Sequence, residues 1–175
     1  MATHFCTNYF YWMNEVTPIK RSIQLQPLSR EHHDGLLFAW KIRQGINNHI
    51  NVERLKDFTS WFWRHHIRPH FFQEEKVLLL YIEASHPLAM QLRKEHNYIR
   101  ELIITIDKDA DRHDFTRLAS LLETHIRFEE RELFKYLEEH LTQQELTAIS
   151  EKLEQHPVVC EEEWKDEFWV KKEVK

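Results

Sequence analysis

Glycine is almost absent from this chain: only Gly35 and Gly45 occur in 175 residues, beside five prolines. That scarcity excludes the turn-rich architectures of all-β proteins and any glycine-rich loop that could cradle a phosphate. Cysteine is equally rare. Cys6 and Cys160 form no CxxC pair and no disulfide framework, so a reducing cytoplasm is the expected compartment. No membrane span is expected, because the longest apolar run near the centre, residues 77–82, falls far short of the ~20 residues a bilayer requires. The N-terminal stretch MATHFCTNYFYWMNEV lacks a charged segment followed by an apolar one, so no secretory signal is expected, and Met13 is an alternative start. A basic excess is missing too. The net charge of −5 leaves no footprint for nucleic acid. No HExxH, GxSxG or Walker sequence occurs, and only Glu83/His86 has the ExxH form of which a ferritin-like site needs two.

Histidine, by contrast, is abundant, with 13 residues. The segment HFFQEEKVLLLYIE at 70–83 returns as HIRFEERELFKYLE at 125–138, and each copy is preceded by an LxxEH, ending at His32 and His96. The order LxxEH, HxxxE, LxxEH, HxxxE reads as one two-helix unit written twice. Such a duplication closes into a four-helix bundle with ligands pointing inward. About 1.6 HxxxE pairs are expected by chance from 13 histidines and 22 glutamates, if placement is independent. Three occur. His49/Glu53 is assigned to chance; His70/Glu74 and His125/Glu129 stand apart through their shared HxxxEExxL context and their LxxEH companions.

A glutamate four residues after a histidine lies on the same helix face, so one helix offers both a nitrogen and an oxygen. Glu129 falls between Leu122 and Leu133, inside an apolar stripe, where a bare carboxylate is costly and a cation removes the cost. Four histidines and two carboxylates in this pseudo-symmetry are what a carboxylate-bridged two-metal centre needs. The mixed donor set suits iron, with manganese or zinc permitted.

The helical pattern predicts a first helix over 29–46 capped by Ser29, with Leu28, Leu36, Ala39, Trp40 and Ile46 on the face of His32. A second runs over 51–83 and bends at Pro69. Ser85, His86 and Pro87 open the third, and the fourth covers 114–140. Thr142 and Glu145 form a capping box for a short fifth helix over 143–155. Residues 1–26 read as an extension, 27–156 as the bundle and 157–175 as a charged tail. Trp164, Phe168 and Trp169 of that tail dock on the bundle. Trp40, Trp61, Phe62, Trp63 and Phe72 are expected in the core, and Glu31 and Glu95 are expected to face outward. Tyr81 and Tyr136 occupy equivalent repeat positions, from which a hydroxyl can reach groups around the centre.

The segments REHHDGLL, RPHFFQEEKVLL, LRKEHNYIREL and THIRFEERELF resemble the hemerythrin-like, HHE cation-binding domains over roughly residues 28–140. The tail sequence DEFW is similar to one bacterial branch. The resemblance implies an all-α, up-down-up-down bundle with a non-haem di-iron centre, carboxylate- and oxo- or hydroxo-bridged. Its ligands would be His32, His70, Glu74, His96, His125 and Glu129, the two glutamates bridging. The implied ligand is a small molecule: dioxygen, nitric oxide or peroxide. Sensing, storage or protection is favoured over enzymatic turnover. The alternative is a di-iron oxidoreductase, or an iron donor for iron–sulfur cluster repair. With no output domain in this chain, a sensor would need a protein partner. The chain departs from the oxygen-carrying pattern. That pattern has an HxxxH on the third helix, where Leu92 and Arg100 flank His96, and it places its last carboxylate at the position of Glu130. The cluster-repair branch often carries paired cysteines in a small N-terminal domain, and only Cys6 stands there. His33, His66, Glu75 and Glu130 remain alternative or supporting ligands, His66 being the candidate fifth histidine; His65 and His86 read as surface or capping residues.

Overall fold

The computed structural model describes residues 20–160 and 162–171; Cys6, Met13 and most of the 1–26 extension lie outside the described residues. Among the described residues there are helices and no strands. They run α1 (Gln26–Asn47), α2 (Val52–Phe62), α3 (Arg68–Lys76), α4 (Pro87–Asp109), α5 (Arg112–Phe128), α6 (Phe134–His140) and α7 (Gln143–Glu154). Two π-helical turns, Trp63–Ile67 and Glu129–Leu133, join α2 to α3 and α5 to α6. The bundle therefore has four rods, α1, α2–α3, α4 and α5–α6, with α7 as a short fifth.

Helix ends follow local chemistry. α1 starts at Gln26, three residues before the predicted Ser29 cap, because Pro27 suits a first turn where its missing N–H is no loss. Ser29 lies inside the helix, and its hydroxyl donates to Glu130 Oε1 at 2.6 Å. α1 ends in a Schellman motif: His49 N–H donates to Ile46 O and Ile50 N–H to Gly45 O, with His49 at φ 54°. The chance HxxxE histidine is thus a helix terminator in a conformation that glycine usually supplies. Asn51, His86, Asp111 and Thr142 cap α2, α4, α5 and α7, the last two through capping boxes with Asp114 and Glu145.

The predicted 51–83 helix is not continuous. Proline at 69 lacks the N–H that would reach His65 O, and its ring would strike that carbonyl. A π-turn relieves this, with Arg68 N–H reaching back to Trp63 O. The extra residue shows in the core spacing, since Phe62 and Ile67, both buried, are five apart. In the second π-turn Phe134 N–H reaches Glu129 O, which keeps Leu133, Phe134 and Leu137 buried on the side that carries His125 and Glu129.

The apolar core is split in two. One cluster holds Phe38, Phe58, Phe62, Ile103, Phe115 and Leu122; the other holds Leu28, Leu78, Leu92, Leu133, Phe134 and Ile149. Between them lies a layer of buried polar side chains. The inward stripe of α1 is Leu28, His32, Gly35, Ala39 and Ile42, whereas the predicted core residues Leu36, Trp40 and Phe72 are 38%, 47% and 45% exposed. Trp61 and Trp63 are half-buried, and only Phe62 of that aromatic run is fully in the core. On α1 the inward stripe passes through the two glycines, which leaves Leu36 and Trp40 beside it; on α3 the inward residues are His70, Phe71, Gln73 and Glu74, which leaves Phe72 outside. Each glycine permits a close approach: a Cβ on Gly45 would stand 2.6 Å from both Leu55 Cδ2 and Phe168 Cε2.

Phe168 fills that notch and is buried, with Trp164 and Trp169 packed beside it on Phe58. On an unpacked helix, glycine to alanine stabilises by about 1 kcal/mol. Here Gly45→Ala is expected instead to destabilise by about 1–3 kcal/mol through overpacking. In urea unfolding followed by tryptophan emission, the Gly45→Ala/Phe168→Ala double variant should lose less than the sum of the singles. Additive losses would show that the notch and the ring are not in contact.

Candidate metal centre

Each rod contributes to the polar layer. α1 carries His32, α3 carries His70 and Glu74, α4 carries His96, and the fourth rod carries His125 and Glu129. All six sequence-predicted residues are buried and converge, Glu74, His96 and Glu129 with no exposure at all. They form two sets of four donors, each set within 4.8 Å: His32, His70, Glu74 and Glu129, then Glu74, His96, His125 and Glu129. The two glutamates belong to both.

The carboxylates divide their oxygens between the sets. Glu74 Oε1 lies 3.3 Å from His70 Nε2, and Glu74 Oε2 lies 3.1 Å from His96 Nε2. Glu129 Oε2 lies 3.0 Å from His32 Nε2, and Oε1 lies 3.0 Å from His125 Nε2. These distances are short, yet among the described residues all four oxygens, with the Nε2 atoms of His96 and His125, have no hydrogen-bond partner. A buried carboxylate left this way costs several kcal/mol unless a cation meets it, so the donor set fits a pair of cations.

Around the six stands a second ring. Every ring histidine uses Nδ1 to hold its own carboxylate: His32 to Glu130 at 2.7 Å, His70 to Glu31 at 2.7 Å, His96 to Glu75 at 2.7 Å and His125 to Glu95 at 2.8 Å. Glu31 and Glu95 therefore do not face outward as expected; each turns to the neighbouring rod and fixes a histidine there. Glu75 and Glu130 play the same part and do not displace Glu74 and Glu129 from the centre. Carboxylate–histidine pairs of this kind fix the tautomer and raise the basicity of the far nitrogen. Two arginines complete the ring and carry no sequence signal. Arg21 donates to Glu130 and Glu138 and lies over Phe134, which stacks on His32. Arg100 donates to Glu75 and lies over Phe71, which stacks on His96. The duplication thus extends to the outer glutamates, Glu31 with Glu95 and Glu75 with Glu130, whereas the two arginine–phenylalanine pairs arise at unmatched positions of the repeat.

The other candidates lie apart. His33 and His49 are exposed, and His66 belongs to neither donor set. The hydroxyls of Tyr81 and Tyr136 make no hydrogen bond to the centre among the described residues; the Tyr136 ring stacks on His140 and meets His86 at a tilt instead.

A cavity of about 110 Å³ abuts His32, His70 and His125. Its walls are mainly Gly35, Phe62, Ile67, Phe71, Leu122 and Ile126, while Glu31, Asp34 and His66 supply the polar part.

A helical bundle whose core is interrupted by buried histidines and carboxylates in this arrangement is a cation-binding protein. The family model described as Hemerythrin HHE cation binding domain matches residues 43–137, and the chain belongs to that family. The matched span holds five of the six donors; His32 lies before it and is brought in by the fold. No curated protein and no solved structure matches the chain.

Without a cation the layer is held by charge. Burial alone lowers the His70 pKa, but Glu74 and Glu31 overturn this and lift it to about 9. Burial likewise opposes protonation of His96, and Glu129, Glu74 and Glu75 raise it to about 10. Burial and the Glu74 charge push Glu129 upward, while His125 and His32 hold it down at about 2. Raised histidine values stabilise the metal-free fold below pH 6.5, and that contribution is lost as pH rises through 9 to 10. Coordination requires a free Nε2, so cation binding displaces protons. The 3.1 Å His32–His70 contact between Nε2 atoms has room for one proton. Calorimetry in buffers of differing ionisation enthalpy should show at least two protons released per chain at pH 7, falling toward none above pH 10. Glu31→Gln or Glu95→Gln should weaken cation affinity about 10–100-fold, where Glu53→Gln leaves it unchanged. Equal affinities in a competitive chelator titration would remove the outer ring from the argument.

Proposed function

We propose that the chain is a non-haem di-iron protein that binds a small molecule of two or three heavy atoms, such as dioxygen, nitric oxide or peroxide. His32 and His70 would serve one cation, His96 and His125 the other, and Glu74 and Glu129 would bridge. The observation that carries this is the pair of fully buried carboxylates, each offering one unpartnered oxygen to each histidine pair. Charge supports it as well. Seven carboxylates, the two central, the four on Nδ1 and Glu138 beside Arg21, face Arg21 and Arg100, which leaves five negative charges, most of which two divalent cations would balance. Imidazole and carboxylate together suit iron.

Access is uneven around the centre: Phe71 stacks on His96 with Arg100 over its far face, whereas the cavity reaches His32, His70 and His125. A pair of iron ions, when bound, supplies an attachment point and electrons for a small ligand. The chain's own residues set the conditions: apolar walls from Ile67, Leu122 and Ile126 exclude bulk water, and 110 Å³ admits only a few heavy atoms. The four outer carboxylates hold the Nδ1 protons, so the histidines keep one orientation through binding and release. A walled site of this size favours reversible binding, sensing or protection over processing of a larger substrate.

Iron analysis with the optical spectrum of anaerobically reduced and then air-exposed protein tests this. Two iron ions per chain are expected, with a charge-transfer band that appears on oxidation and clears on reduction. His70→Ala or His125→Ala should abolish two-metal loading and lower Tm, and His49→Ala should do neither. Full loading in His70→Ala, or one or no iron in the unaltered chain, would overturn the proposal.

A further inference from the structure

The chamber beside the centre is poor in hydrogen-bond donors. Of the side chains that line it, Glu31 and Asp34 offer oxygens, four are histidines, and the rest are apolar. Three of those histidines are already committed. His32, His70 and His125 hold Glu130, Glu31 and Glu95 through Nδ1 and turn Nε2 to the buried carboxylates. The fourth, His66, is not. Among the described residues no hydrogen bond reaches either of its ring nitrogens. Its plane is fixed all the same: the ring stacks on Phe62 at 4.4 Å and 12°, and Trp61 meets it edge-on at 5.3 Å. Half-buried in the π-turn ahead of α3, it stands four residues before His70 and lines the same chamber. Burial, with the charges of His65 and Lys41, holds its pKa below the ordinary value against Asp34 and Glu31. At neutral pH it is therefore an imidazole with one N–H to give. The bundle does not need a histidine at this place. The matching position of the second unit, four residues before His125, is Leu121.

We propose that His66 is the specificity-determining residue of the chamber, its free N–H donating to the outer atom of a small ligand held on the His32/His70 side. The role rests on the di-iron reading, because a cation there supplies the attachment point. In a pocket with apolar walls, a few placed polar groups fix orientation and choice of ligand. Here the far end of a short ligand has one free donor to meet. A hydrogen bond to an atom that carries negative charge is about twice as strong as one to a neutral atom. His66 thus favours ligands whose outer atom is charged, or becomes charged when the ligand binds, over ligands that stay neutral. Leucine at this position, as in the other unit, would give no such preference.

The test uses the iron-loaded full chain with azide, whose outer nitrogen accepts a hydrogen bond, and reads its dissociation rate and the infrared stretch of the bound ion. His66→Leu should speed dissociation about tenfold and move the stretch. His66→Phe, which keeps the stack on Phe62 without a donor, should do the same and replaces His66→Leu if that variant unfolds. His66→Gln, which keeps an N–H, should bring the stretch back toward its original frequency. His65→Leu removes a neighbouring histidine that faces Glu162 at 3.4 Å and does not line the chamber; it should change neither readout. Xenon accepts no hydrogen bond, so its occupancy of the chamber by 129Xe NMR should stay within about twofold throughout. Faster azide loss with an unmoved stretch, or with an equal loss of xenon, would mark a change of shape and overturn the donor role. Equal dissociation in all variants at two iron ions per chain would overturn it too, and leave the di-iron reading standing. Fewer than two iron ions in the unaltered chain would overturn both. Loss of iron from every His66 variant, with full loading in the unaltered chain, would make His66 a ligand of the cation and overturn the inference.

Discussion

Two carboxylates buried without exposure, facing one another across the bundle, are the constraint around which this protein is arranged. Glu74 and Glu129 raise each other's free energy through like charge and burial, and no apolar packing nearby can offset that. Compensation has to come from four imidazoles and, in the reading advanced above, from two cations. Once four rods must each deliver one histidine to a common layer, their rotation about their own axes is fixed. The apolar core then has to divide into a cluster above and a cluster below. The layer specifies register, and the two clusters supply the stability that holds it closed.

The outer ring explains how side chains with several rotatable bonds can hold such a layer. Each histidine is fixed by a glutamate from an adjacent rod, α1 to α3, α3 to α4, α4 to α5, and the fourth rod back to α1. The circuit is closed, so no rod can rotate without breaking two carboxylate–imidazole contacts. Arg21 and Arg100 then neutralise two of the outer carboxylates, Glu130 and Glu75, and each lies over the phenylalanine that stacks on a histidine. Preorganisation here is electrostatic and geometric at once.

Much of this was legible from the residues, because helical spacing and duplication are both one-dimensional. His70/Glu74 and His125/Glu129 follow from the four-residue step, and His32 and His96 from the LxxEH companions. The outer ring was half legible. Glu75 and Glu130 adjoin bridging residues, but Glu31 and Glu95 precede a histidine by one position, about 100° around the helix. On an isolated helix that direction points away; in the bundle it points at the next rod. Arg21 carried no signal, since its partners are over 100 residues distant. The π-turns were hidden for a different reason. Their mark is a five-residue step from Phe62 to Ile67, which a fixed 3.6-residue period averages away. Gly35 and Gly45 were passed over on the inward stripe because hydrophobic pattern weighs large side chains, whereas close approach depends on missing ones.

Duplication alone would make the two donor sets equivalent, and the departures from it make them differ. Three residues after His32 stands Gly35; three after His96 stands Ile99, fully buried. The repeat thus sets a missing side chain against a branched one at matching positions. The π-turns add to the difference, because the one at Trp63–Ile67 precedes His70, whereas the one in the fourth rod, Glu129–Leu133, follows His125. A chamber opens beside His32, His70 and His125, while Phe71 lies on His96 at a ring distance of 3.6 Å. Gly35 leaves open on that side the space that a branched side chain fills at the matching position of the other unit, and Val158, outside the repeat, forms part of the chamber wall.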